Sequence, residues 1–208
     1  AASDVYKRQG MIRANRGARA LIEDNVLTGP VGLEPPAGIT VERDDTSLRV
    51  VRNELNFVEA FSGSVELLEN DIHGGTPVNL TWDGGGELGS ISYGNCGITG
   101  SDSLVMTSGR IRDTETGVCG SARILGGELH DNGVGVWSSL GFASEPNGQG
   151  IFLTIVRDAV IRDNGVGVRT APYSRVLLQE VTFCGNEVDT ENHETSTIEE
   201  SGTLRCES

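Results

Sequence analysis

Apolar residues recur along this chain at fixed places around a polar centre. Take Asn25, Asn53, Asn70, Asn132, Asn164 and Asn186 as position zero, with Cys96 and Thr114 filling two further places. Three residues earlier stand Ile22, Val50, Leu67, Tyr93, Ile111, Leu129, Ile161 and Phe183; five earlier stand Ala20, Leu48, Val65, Ile91, Gly109, Gly127, Ala159 and Val181. Two residues later stand Leu27, Leu55, Ile72, Ile98, Val134, Val166 and Val188, with Thr116 the one polar occupant. Alternation at minus five and minus three, resumed at plus two and plus four (Phe57, Val136, Val168), has the period of a strand. The frame therefore predicts two short strands around each centre, and a third fits upstream over 104–106, 122–124, 154–156 and 176–178. Asn suits such a corner because it tolerates left-handed backbone, bonds the main chain locally and can stack amide on amide.

The zero positions lie 28, 17, 26, 18, 18, 32 and 22 residues apart, which describes a stack of similar coils with loops of variable length. Asn-Gly pairs that would turn hairpins in a sandwich sit instead at fixed frame positions. The segments LHDNGVGVW (129–137), IRDNGVGVR (161–169), IRDTETGVC (111–119) and FCGNEVD (183–189) resemble coils of the right-handed parallel β-helix, of the pectate-lyase-like superfamily. The likeness covers roughly residues 20–208 and implies an all-β solenoid of about eight coils with three short strands each. At roughly 4.8 Å per coil such a rod is about 40 Å long.

Residues 1–9, AASDVYKRQ, match letter for letter the translation of a transposon sequencing adapter. They are read as a non-native scar on a metagenomic fragment whose own N-terminus is lost, leaving 10–208 as one domain.

Charge narrows the partners. The net charge is −14, and −15 without Asp4, Lys7 and Arg8 of the scar, so a phosphate backbone is not the expected ligand. Aromatic residues are 5%, too few for a base-stacking platform. No apolar run is long enough to span a membrane.

Cys184 and Cys206 are 22 residues apart, one coil length, and are expected to form a disulfide between neighbouring coils after a one-residue slip. Cys96 and Cys119, 23 apart, are a second candidate pair, although the frame sets them at zero and plus five. Disulfides place the chain outside the cytoplasm: secreted, on the cell surface or in the periplasm.

Stacking turns scattered charges into columns. Arg112, His130 and Arg162 share the place two before zero, and Asp113, Asp131 and Asp163 the place one before, which offers paired carboxylates beside cations on one face. The same arrangement also makes plain diagonal ion pairs. Long intervals at 28–46, 73–90 and 138–150 are loops; that at 73–90 carries His73, Trp82, Asp83 and Glu87, a second candidate site for sugar or Ca²⁺. Asn79-Leu80-Thr81 is a glycosylation triplet. No metal site is assigned, and no cofactor beyond Ca²⁺ is implied.

The superfamily's enzymes carry motifs that this chain lacks. Polygalacturonase-like members have Asn-Thr-Asp, Asp-Asp, Gly-His-Gly and Arg-Ile-Lys; only Asp44-Asp45 occurs here, without companions. The RxPxxR segment of pectate lyases is also missing. The first reading is a non-catalytic secreted or surface scaffold, adhesion or carbohydrate-contact module, with polysaccharide or cell-surface glycan as partner. The alternative is a fragment of a polysaccharide lyase, glycoside hydrolase or epimerase acting on acidic polysaccharide.

Overall fold

The computed structural model describes residues 4–8, 11–15, 17–28, 38–41, 45–60, 62–83, 88–100, 103–138 and 152–207. These residues form strands and turns with no helix, wound as a right-handed parallel β-helix of eight coils. Each coil adds one strand to each of three sheets; the seventh, for example, contributes Val166–Thr170, Ser174–Gln179 and Thr182–Cys184 to the first, second and third. Strand pairing from coil to coil is parallel throughout. Two antiparallel ladders lie outside the stack: Asp4–Arg8 pairs with Met11–Asn15 at the N-terminal edge, and Thr76–Asp83 pairs with Leu88–Gly100.

Period-two alternation gives the rod its inside. In Ser174–Gln179, Ser174, Val176 and Leu178 are buried while the residues between are half-buried. Apolar columns run down the axis, as in Leu55, Ile72, Ile111, Leu129, Ile161 and Phe183 of the third sheet, each at most 1% exposed. Such parallel burial on successive coils is the main cohesive force.

The single Asn frame resolves into two. Leu27, Leu55 and Ile72, two after their asparagines, stand in register with Ile111, Leu129 and Ile161, three before theirs. Asn25, Asn53 and Asn70 therefore occupy the ridge between second and third sheets, whereas Thr114, Asn132, Asn164 and Asn186 occupy the ridge between third and first. On the first ridge Asn53 Oδ1 accepts the main-chain and side-chain N–H groups of Asn25 at 2.9 and 3.0 Å, and Asn70 Oδ1 does the same for Asn53 at 2.9 and 3.1 Å. The ladder then stops. Gly109 is the partner of Asn70, and a Cβ there would stand 2.4 Å from the Asn70 carbonyl oxygen.

On the second ridge Thr114 donates through its main chain and hydroxyl to Asn132 Oδ1, at 3.1 and 2.7 Å. Asn132 then donates to Asn164, and Asn164 to Asn186. The remaining side-chain proton goes back one coil, from Asn132 to the Ile111 carbonyl and from Asn164 to the Leu129 carbonyl. At the last rung Asn186 Nδ2 donates to Asp189 Oδ1 of its own coil.

Left-handed backbone belongs to the residue before each centre, not to the Asn. Asp24, Arg52 and Glu69 on one ridge, and Asp113, Asp131 and Asp163 on the other, have φ between 52° and 55°, and Gly185 has 67°. One local turn, a left-handed residue followed by a buried amide, thus serves two corners of a three-sided coil.

Cys96 is corrected by two places. It stands opposite Thr116, and Ile98 opposite Val118, so Cys96 takes the plus-two place. The displacement follows from the hairpin at 76–96: Ile91 and Tyr93 lie on its arm, where Ile91 faces Leu80 across the strands, so the expected loop is largely strand. Both disulfides are formed. Cys96–Cys119 joins the fourth and fifth coils with Cα atoms 6.1 Å apart, and both cysteines are buried. Cys184–Cys206 joins the seventh and eighth with Cα atoms 4.9 Å apart. Phe183 pairs with Arg205 directly, so these cysteines meet without the expected slip.

Candidate functional site

The outward face of the third sheet carries the charged columns. Strand register stacks His73, Arg112, His130 and Arg162 on four consecutive coils, with Cys184 next. His73, grouped by sequence with the following loop, therefore heads the basic column. A second outward column runs Glu54, Asp71, Arg110 and Glu128. Asp113, Asp131 and Asp163 stand on the ridge beside the basic column, at the left-handed positions.

Each basic side chain of the column is hydrogen-bonded to a carboxylate of the chain. Arg112 donates through Nε and Nη2 to the two oxygens of Asp71 at 3.0 and 3.1 Å, and through Nη1 to Asp113 at 2.5 Å. Arg162 bonds Glu128 and donates to Asp163 at 2.6 Å. His130 Nδ1 lies 2.6 Å from Asp131 Oδ2, and His73 Nε2 lies 3.1 Å from Glu54 Oε1. The two arginines repeat one pattern, a carboxylate from the next residue and another from the parallel column, while His130 pairs with the next residue and His73 with the parallel column.

The electrostatic consequences follow the pairing. Burial by itself would raise the Asp71 carboxyl, but hydrogen bonds from Arg112 and Arg110 outweigh it and hold Asp71 below the ordinary carboxylate range. His130, hydrogen-bonded to Asp131, likewise lowers that carboxyl. Asp71 raises the Arg112 guanidinium, and Glu128 then Asp163 raise that of Arg162. Asp71 and Asp131 are therefore carboxylates, and Arg112 and Arg162 guanidinium cations, near neutral pH.

Two open clefts are described, and neither is lined by the basic column. One, of about 430 Å³, lies at the first ridge among Asp24, Arg52, Glu54, Glu69, Asp71 and Arg110. The other, of about 480 Å³, lies near the C-terminal end among Trp137, Arg169, Pro172, Glu191, His193 and Glu194. The Arg169 guanidinium sits 5.2 Å from the centre of the Trp137 ring and donates to Glu191 Oε2 at 3.0 and 2.7 Å. This cleft escaped the sequence reading, although its signal was there: Cys119, Trp137, Arg169 and Glu191 all stand five after their centres.

Trp82 and Asp83 end the strand Thr76–Asp83, opposite Gly89 and Leu88, while Glu87 lies outside the described residues. Most of 28–46 and 138–150 lies outside them as well. Among the described residues, no three His, Cys, Asp or Glu side chains are placed to hold a metal ion, and no helix is long and apolar enough to cross a membrane.

Fold and surface together define a right-handed parallel β-helix repeat protein with an internally paired charged face. Comparison with protein-family models, curated proteins and solved structures finds no match for this chain.

Proposed function

We propose that this chain is a non-catalytic β-helix scaffold, secreted or displayed at the cell surface, that presents its faces to glycan or protein partners. One observation carries the reading: Arg112 and Arg162 each pair with two carboxylates of their own chain, and His130 is hydrogen-bonded to Asp131. A guanidinium already engaged on two sides has little left to grip an acidic substrate. The two disulfides support an oxidising compartment. The likeness of 111–119, 129–137 and 161–169 to coils of the pectate-lyase-like superfamily supports a carbohydrate setting, by analogy of fold alone.

A second reading, a fragment of a carbohydrate-active enzyme, draws on one feature. His130 and Asp131 form a short imidazole–carboxylate pair with the imidazole mostly buried, an arrangement suited to proton transfer. Assays for reducing sugar and unsaturated product on a panel of uronic-acid polymers, with and without Ca²⁺, separate the two. The scaffold reading expects no turnover above background; turnover that Asp131→Ala abolishes would overturn it.

A further inference from the structure

The eighth coil differs in charge from the rest of the rod. Residues 186–207 hold seven carboxylates and one guanidinium, a net of −6 out of −14 for the whole chain. Arg205 is tied to Asp189 and Glu200 and lies over the Phe183 ring at 5.5 Å, so the only guanidinium of this coil is committed to closing the core. Glu191 is held by Arg169, and Glu199 by Arg175. Glu194, on the wall of the Trp137 cleft, is exposed and has neither ion pair nor hydrogen bond among the described residues.

We propose that this cleft is a docking site for an arginine- or lysine-bearing peptide segment of a partner protein. Arg169 shows the chemistry the site accepts, because the chain itself lodges a guanidinium between the Trp137 ring and the Glu191 carboxylate. A second cation, brought by the partner, meets Glu194 in the same cleft. The Thr195 main-chain N–H donates to His193 Nδ1 at 3.2 Å, so a neutral ring carries its proton on Nε2 and can donate to a peptide carbonyl. A volume of about 480 Å³ suits a side chain with its flanking backbone. A sugar ring is the poorer fit, since Arg169 already lies over a face of Trp137. Anionic ligands meet the net negative charge of the coil.

The inference deepens the scaffold reading by naming a class of partner, and its test is separate from the turnover assays. The probe is a fluorescein-labelled octapeptide of alternating glycine and arginine, titrated with the whole chain and followed by fluorescence anisotropy. Saturable binding is expected, with Glu194→Gln weakening it about tenfold, as loss of one charged hydrogen-bonding partner does. Glu66→Gln, on the third coil and far from the cleft, is expected to leave the affinity unchanged. Circular dichroism confirms that both variants are folded. Equal weakening by the two variants, or by neither, would show that binding is diffuse and overturn the proposal. A neutral oligosaccharide displacing the peptide from the cleft would overturn it in favour of a sugar site. Concentration-dependent self-association that Glu194→Gln abolishes, without binding of the peptide, would overturn it in favour of a second copy of the chain.

Discussion

Asn132 donates two hydrogen bonds to a single atom, Oδ1 of Asn164, one from its main chain at 3.0 Å and one from its side chain at 3.1 Å. Asn164 in turn donates to the Leu129 carbonyl behind and to Asn186 ahead. Its side chain thus satisfies groups on the two neighbouring coils, and it is 2% exposed. Asn164→Ala should cost about 3 kcal/mol, because buried donors and an acceptor lose their partner together. Asn25→Ala, at the half-buried end of the other ladder, should cost under about 1 kcal/mol. Urea unfolding of the two variants measures the difference; equal costs would refute the account of the ladder.

The same ladder should resist deamidation. Asn132-Gly133 and Asn164-Gly165 are the pairing most prone to cyclise, because glycine leaves the following nitrogen free to attack. Here Gly133 N–H donates to the Thr114 carbonyl and Gly165 N–H to the Asn132 carbonyl, both at 3.0 Å. Peptide mass mapping after incubation at mildly alkaline pH should find both asparagines intact in the folded chain and converted when urea is present.

Left-handed corners set a different limit. Asp158 has φ 51° and its side chain makes no ion pair or hydrogen bond among the described residues, so it tests backbone strain alone. Asp158→Gly should be close to neutral, its relief of strain offset by greater freedom in the unfolded chain, whereas Asp158→Val should cost about 1–2 kcal/mol. Thermal unfolding of the pair decides it.

The two disulfides should differ in reach. Cys96 and Cys119 are buried, whereas Cys206 is exposed and Cys184 half-buried. Mild reduction followed by alkylation and peptide mapping should label Cys184 and Cys206 first, and Cys96 and Cys119 only once the chain unfolds.

Acid should act on Asp71. Its carboxyl lies below the unfolded value when folded, so it stabilises the chain above about pH 4, and this contribution is lost as pH falls through the folded value. No loss from this group is expected between pH 7 and 5. Asp71→Asn should flatten the part of the stability profile below about pH 4, where wild type loses the pairing with Arg112 and Arg110.

Coil architecture was legible because burial repeats: Ile111, Leu129 and Ile161 must all point inward, and period-two alternation gives each strand away. The ridge each Asn occupies was not legible, because Asp24-Asn25 and Asp131-Asn132 make the same local turn and differ only in which sheets they join. Cys96 was misplaced because a hairpin inserts before it without disturbing the apolar alternation of Ile91, Tyr93 and Ile98. The columns Arg112, His130, Arg162 and Asp113, Asp131, Asp163 were readable from spacing. Their partners Asp71 and Glu128 were not, since they stand on the other side of the inward residue and carry no mark in the Asn-centred frame. Trp137 and Arg169 were in frame but chemically unlike, so the column they share with Glu191 did not declare itself.

The change of ridge between Asn70 and Thr114 has a consequence for recombination. Coils five to seven hand their amides along one edge of the rod, so one of them could be duplicated or excised and the ladder would close again. A coil taken from the first three carries its amide on another edge. Inserted among the later ones, it would bring that amide against the Gly109–Gly127 column and break the ladder on both sides.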